Sequence, residues 1–283
     1  MSQTENPLPA APRLKVPADT CDCHMHIYES RFPTASTAIS PPPEAPLAAY
    51  RNVRQQLGLI RAVIVQPSAY GSDNSCTMEA VKALGEDARG VVVVDTSVTD
   101  AALVQLTDDG ARGIRFHMLP GGALPWDILE EMAARVHTFG WHVQLQMDGR
   151  FLMERESVLK RLPGTLVIDH VGKFLEPVTT QHPGFQTLLR LVDTGRCWVK
   201  LSAPYEVSKA GPPFYDDVGA LAKALVKAAP ERMVWASNWP HPSVSGPAVP
   251  RDSDLLDVLL NWVGDAATRS RILVDNPAKL YGF

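Results

Sequence analysis

Four histidines, an arginine and an asparagine in this 283-residue chain fall at positions where strand ends could gather them. His24 and His26 alternate in the run Asp22-Cys23-His24-Met25-His26. Arg115 and His117 share the same spacing, His170 follows Asp169, and Asn238 opens Asn238-Trp239-Pro240-His241-Pro242. Residues two apart on a strand point the same way, so each pair projects to one side. Histidine carries protons near neutral pH because its reference pKa is about 6.5. A guanidinium fork at Arg115 matches a carboxylate bidentately. Tyr28, Gln66, Tyr70, Gln146, Arg150, Lys200 and Tyr205 add hydrogen-bonding groups suited to a polyhydroxylated substrate. One histidine on a strand is usually a core residue, but several at the ends of different strands favour a shared pocket.

Such a pocket needs strands that end at one rim. Eight β-rich runs are expected, at 20–27, 61–68, 90–96, 113–118, 142–147, 166–170, 197–202 and 233–238. Ala62-Val63-Ile64-Val65 and Val91-Val92-Val93-Val94 are the near-continuous apolar runs of parallel strands buried on both faces. Helical periodicity fills the gaps at 77–84, 126–139, 218–228 and 253–263. In 126–139, Leu129, Met132, Val136 and Phe139 share a face, with Gly140 as the stop. In 253–263, Ser253 is the expected cap and Leu256, Leu259, Leu260 and Val263 the buried face. Eight strand–helix units close most economically into an α/β fold of the (β/α)8 TIM-barrel type. Its active site lies at the C-terminal strand ends, where all six residues fall. No glycine-rich phosphate turn follows the first strand, which disfavours a doubly wound dinucleotide-binding sheet.

Composition narrows the partners. A formal net charge of −4 and a pI near 6.1 give no basic field for nucleic acid. No apolar run reaches the roughly 20 residues of a membrane span. Cys21, Cys23, Cys76 and Cys197 lack zinc-ribbon spacing and read as small apolar residues. Residues 1–19 lack the apolar core of a signal peptide and are expected to be a disordered lead-in to one barrel domain at 20–283. A cytoplasmic location is the expectation.

The Asp-x-His-x-His start, the His170 strand end and Asn238-Trp239-Pro240-His241-Pro242 resemble the amidohydrolase-2 branch of the amidohydrolase superfamily. Val65-Gln66-Pro67-Ser68, Ala111-Arg112-Gly113-Ile114-Arg115-Phe116 and Asn276-Pro277-Ala278-Lys279-Leu280-Tyr281 extend the similarity over nearly the whole chain. Within the branch, the chain is similar to the group of lactonases and lactone isomerases that act on pyrone dicarboxylates and galactarolactone. The resemblance implies a (β/α)8 barrel acting on a small acidic lactone. In metal-using relatives, the two first-strand histidines and a strand-eight aspartate hold a divalent ion, and that aspartate deprotonates the attacking water. Asn238 stands at the matching position. An amide is neither a carboxylate base nor a good metal ligand, and strand five offers Gln146 in place of a lysine or histidine. No metal and no other cofactor is therefore expected. Lactone isomerisation, which needs no activated water, suits this set better than hydrolysis. A binding protein without activity is the third reading. In the isomerase, His117 and His170 are the expected proton carriers, with His24, His26 and Asn238 holding the lactone and its oxyanion, and Arg115 the carboxylate.

Overall fold

The computed structural model describes residues 11–283. Its eight strands are β1 (Cys21–Met25), β2 (Arg61–Val65), β3 (Ala88–Val92), β4 (Ala111–His117), β5 (His142–Gln146), β6 (Leu166–Ile168), β7 (Cys197–Leu201) and β8 (Met233–Trp235). All are parallel to their neighbours and follow in sequence order around one sheet. The Asn238 N–H donates to the His24 carbonyl at 2.9 Å and the His26 N–H to the Trp239 carbonyl at 2.8 Å, bringing the exit of β8 onto β1. The expected TIM-like barrel is thus the observed fold. Its strands are shorter at the top than the sequence pattern suggested. His26, His170 and Asn238 stand just beyond strand ends, and β3 begins and ends earlier than expected.

Alternation along the strands builds the interior in layers. Gly113, Arg115 and His117 rise along β4, His142, Gln144 and Gln146 along β5, and Trp198, Lys200 and Ser202 along β7 and its exit. The floor is apolar: Cys21, Cys23, Val63, Val65, Val91, Val167, Trp198 and Val234 cluster with Tyr281. His142 belongs to this level, its ring centroid 5.4 Å from that of Tyr281. Gly113 makes room for it, because a Cβ there would lie 2.5 Å from the imidazole. All four cysteines are buried and free.

Two local expectations need correction. The 253–263 helix is two pieces, Asp252–Asp257 and Leu259–Trp262, and Arg251, not Ser253, stands at the N-cap position. Leu260 turns outward at 39% exposure, since the break changes the phase of the buried face. Of the lead-in expected to be disordered, residues 1–10 lie outside the described residues and 11–19 are anchored. The backbone N–H groups of Arg13 and Leu14 donate to the Asp257 carboxylate at 3.1 and 2.8 Å, and Leu14 is buried. Among the described residues no helix is long and apolar enough to cross a membrane.

Candidate active site

Above the layered interior, at the C-terminal ends of the strands, opens a cavity of about 360 Å³. Its polar wall is made by His26, Tyr28, Arg115, His117, Gln146, His170 and Asn238, with Lys173 and Glu206 from loops. Ile39, Pro41, Pro42, Pro43, Leu119 and Leu175 form the apolar part of the lining.

Not every expected residue reaches this space. His24 and Lys200 are fully buried beneath it. Gln66 is a loop brace: its amide donates to the Gly71 and Asp73 carbonyls at 3.1 and 2.8 Å and accepts from the Thr77 hydroxyl at 2.6 Å. Only its backbone serves the site, as an acceptor for Arg115. The Tyr70 hydroxyl is tied to the backbone of Glu29, and Arg150 is paired with Asp148 at 2.6 Å. Tyr205 bonds to Asn238 and His241 behind the wall. For these residues the side-chain roles toward substrate expected from sequence are replaced by supporting ones. Gln144, Asp169 and Ser202 were missed as partners, although period two along β5 and β7 places Gln144 below Gln146 and Ser202 above Lys200. Lys173 and Glu206 had no periodic signal. Lys173 sits in an irregular turn at φ 49° and Glu206 in a single helical turn after β7.

The layer under the cavity is a connected network in which Asp169 Oδ1 alone lacks a hydrogen bond among the group's carboxylate and amide oxygens. The Lys200 ammonium donates to Gln144 Oε1 at 2.6 Å and lies 3.2 Å from His24 Nδ1 and 3.5 Å from Asp169 Oδ1. Gln144 Nε2 donates to Asp169 Oδ2 at 3.0 Å. His26 Nδ1 must donate to the Val65 carbonyl at 2.8 Å, so its Nε2 is the acceptor. His24 Nε2, 3.2 Å away, is then the donor, and His24 Nδ1 accepts from Lys200. Burial alone would raise the Asp169 carboxyl, but the Lys200 ammonium and the Arg115 guanidinium hold it below the usual carboxylate range.

This arrangement decides whether a divalent ion fits. Ligand atoms of His24, Asp169 and His170 lie within 4.8 Å of one another. Two of these residues already face the Lys200 ammonium, and the lone pairs of His24 and His26 are both engaged. Catalytic zinc needs three free protein ligands and an open position. Asn238, at the position where the resemblance implies a carboxylate ligand, is an amide. The residues present do not fit a catalytic divalent ion.

Arg115 is the cation without a carboxylate. Its Nη1 donates to the Gln66 carbonyl at 2.7 Å and its Nη2 to Gln146 Oε1 at 2.8 Å. Its Nε has no partner, and no carboxylate lies within ion-pair distance among the described residues. Glu206, by contrast, is bound to Lys173 and accepts from the Ser243 hydroxyl at 2.5 Å. His170 Nδ1 is 2.8 Å from the Ser202 hydroxyl, and His170 and Val171 both lie in the left-handed region at φ 55°. For a β-branched residue such as Val171 that conformation costs of order 1–3 kcal/mol, so the surrounding packing must fix the turn that carries His170.

Burial keeps the site histidines neutral. His26 is pushed down to about 3 and His117 to about 4, in each case by desolvation and then by Arg115. His142 is pushed down to about 3 by desolvation and Lys200. His24 and His170 are also lowered, by burial first. Each folded pKa lies below the unfolded value near 6.5, so the unfolded chain takes up protons first as pH falls. The stabilisation is complete above about pH 6.5 and is lost progressively toward pH 3–4. Tm should therefore be highest near neutrality and fall steadily below pH 6. A Tm unchanged between pH 7 and 4 would show that these histidines do not control acid stability.

A parallel eight-stranded barrel whose C-terminal mouth holds converging histidines and an unpaired arginine defines an α/β-barrel protein with a polar, anion-ready site. The chain belongs to the amidohydrolase-2 family, whose amidohydrolase model matches residues 21–283. It is 37% identical to the D-galactarolactone isomerase of Agrobacterium fabrum, over 96% of this chain and 94% of that protein. It is 34% identical to the 2-pyrone-4,6-dicarboxylate hydrolase of Comamonas testosteroni, over 96% and 93% respectively. A crystal structure of an Agrobacterium tumefaciens protein in its apo form superposes with a TM-score of 0.91 at 36% identity, covering 96% of this chain and 97% of that one.

Proposed function

We propose that the protein is a lactone-processing enzyme, and specifically a lactone isomerase that interconverts the 1,5- and 1,4-lactones of an aldaric acid of the galactarolactone type without a metal. The observation that carries the reading is the state of the cavity's charges. Arg115 is cationic and unpaired, while Glu206, the one carboxylate on the described wall, is already held by Lys173 and Ser243. The site therefore has a place for a substrate carboxylate but no free carboxylate to activate water. A histidine can still move the proton of a substrate hydroxyl.

His170 is the better placed of the two proton carriers. A catalytic base is normally oriented by a third group, and Ser202 holds His170 Nδ1 whereas His117 Nδ1 has no partner. In the proposed reaction, a substrate hydroxyl gives its proton to His170 as its oxygen adds to the lactone carbonyl. The tetrahedral oxyanion then collapses, the former ring C–O bond breaks, and the imidazolium returns the same proton to the leaving oxygen. A depressed histidine pKa makes this second transfer favourable. Tyr28, protonated because burial raises its pKa, and His117 supply hydrogen bonds to the oxyanion.

Hydrolysis is the second reading. It is favoured by the similarity to the Comamonas hydrolase and by the presence of Glu206 on the wall. Incubation with a panel of sugar-acid lactones, followed by NMR, separates the two. The isomerase yields a second lactone, undiminished by a chelator. An open-chain acid as the stoichiometric product would replace it with the hydrolase, and no turnover of any acidic lactone would remove both.

A further inference from the structure

From Asn238 in the cavity wall, a chain of three further polar side chains that the proposed chemistry does not use runs back behind it. Asn238 Nδ2 is 2.8 Å from the Tyr205 hydroxyl, that hydroxyl is 3.0 Å from His241 Nδ1, and His241 Nε2 is 3.0 Å from Asp252 Oδ1. Tyr205 is half-buried, His241 is buried, and Asp252, in the Asp252–Asp257 helix, is partly exposed. Asn238 and His241 both occupy the left-handed region, at φ 59° and 64°, in the turn that returns from β8. The turn thus presents one side chain to the cavity and the other to the space behind it.

We infer that Asp252, His241 and Tyr205 form a one-way hydrogen-bond chain that turns the Asn238 amide so that its carbonyl oxygen, and not its NH2 group, faces the substrate. The direction follows from the two carboxylates at its ends. Asp252 only accepts, so His241 Nε2 carries the proton, and in that tautomer Nδ1 is bare. The Tyr205 hydroxyl therefore donates to His241, leaving its oxygen to accept from Asn238 Nδ2. At the other end, Asn238 Nδ2 lies 3.5 Å from Glu206 Oε1. A flipped amide would place two acceptors against each other there. It would also leave the Tyr205 proton contested, because Asn238 Oδ1 and His241 Nδ1 would both require it. Asn238 Oδ1 accepts nothing from the described residues and is open to the cavity.

Asn238 is consequently an acceptor for a substrate hydroxyl, and in this arrangement it helps hold the lactone without holding the developing oxyanion. Tyr205, His241 and Asp252 are positioning residues that act through it. For the lactone reaction, on whose assignment this step rests, the geometry selects substrates that offer a hydroxyl at the β8 side of the cavity. An ester or ketone oxygen there would meet the amide carbonyl and be disfavoured.

The test has two parts. Side-chain 15N NMR of the full chain with labelled histidine, at pH 8, reads the His241 tautomer directly, its signal being assigned by loss in His241→Gln. The expected form is protonated at Nε2 and bare at Nδ1. Kinetics on the accepted lactone form the second part. Tyr205→Phe should lower kcat/KM about tenfold in the otherwise unchanged protein, as for loss of one orienting hydrogen bond. It should cost almost nothing further in an Asn238→Ala background. A residue that only supports the fold would cost the same in both backgrounds, and additivity therefore overturns the inference. So does an Nδ1-protonated His241. If the tautomer is as expected but no lactone is turned over, the amide orientation stands and the lactone assignment fails.

Discussion

His170→Gln should lower kcat by about 10²- to 10⁴-fold, the range lost when a positioned acid–base group is removed. The expectation rests on three features. Nδ1 is 2.8 Å from Ser202, the ring lines the cavity, and the backbone at φ 55° is held by the β6 exit turn. KM should change little, because His170 acts on the proton in flight and Arg115 supplies ground-state binding. Burial also fixes the pH dependence. His170 lies well below the ordinary histidine range, so its base form persists as pH falls. The kcat/KM profile should be level from pH 8 down through 6.5, with no inflection at the usual histidine value. A clear loss centred at 6.5, or a His170→Gln enzyme within a few-fold of the parent, would assign the proton transfer to another group.

The second large effect is at Arg115. Removing one partner of a buried, charge-assisted pair costs about 2–5 kcal/mol, or about 30- to 5,000-fold in kcat/KM. Arg115→Ala should show a loss in that range on an acidic lactone. On a lactone whose carboxylate is replaced by a neutral group, the loss should be far smaller. Arg115→Lys should not restore full activity, because a single ammonium cannot keep the bonds to Gln66 and Gln146 while also meeting a carboxylate as a fork. Equal losses on charged and neutral lactones would make Arg115 a structural cation.

How much of this was legible in the sequence follows physical lines. Val-rich runs and helical periodicity gave the eight strands and the barrel, because burial on both faces leaves a composition signal that needs no partner. Period two, which survives to the last residue of β4, placed Arg115 and His117 on one cavity, and His170 and Asn238 reach it from the turns just beyond β6 and β8. The pattern failed where side-chain direction depends on what lies opposite. Gln66 turns to cap the 71–73 loop, and Tyr70 to the Glu29 backbone. Spacing alone points Lys200 at substrate, yet Asp169, at the exit of the adjacent strand β6, keeps it in the layer below. The direction of the Asn238 amide is set by Asp252, on a different element and through two intervening side chains. No local spacing could reveal it.

The most direct measurement is to run the reaction in oxygen-18 water and weigh the product. An intramolecular shift makes and breaks only bonds already within the substrate, so the new lactone should carry no heavy oxygen. An open-chain acid formed in stoichiometric amount and bearing one heavy oxygen would contradict the isomerase and establish hydrolysis in its place.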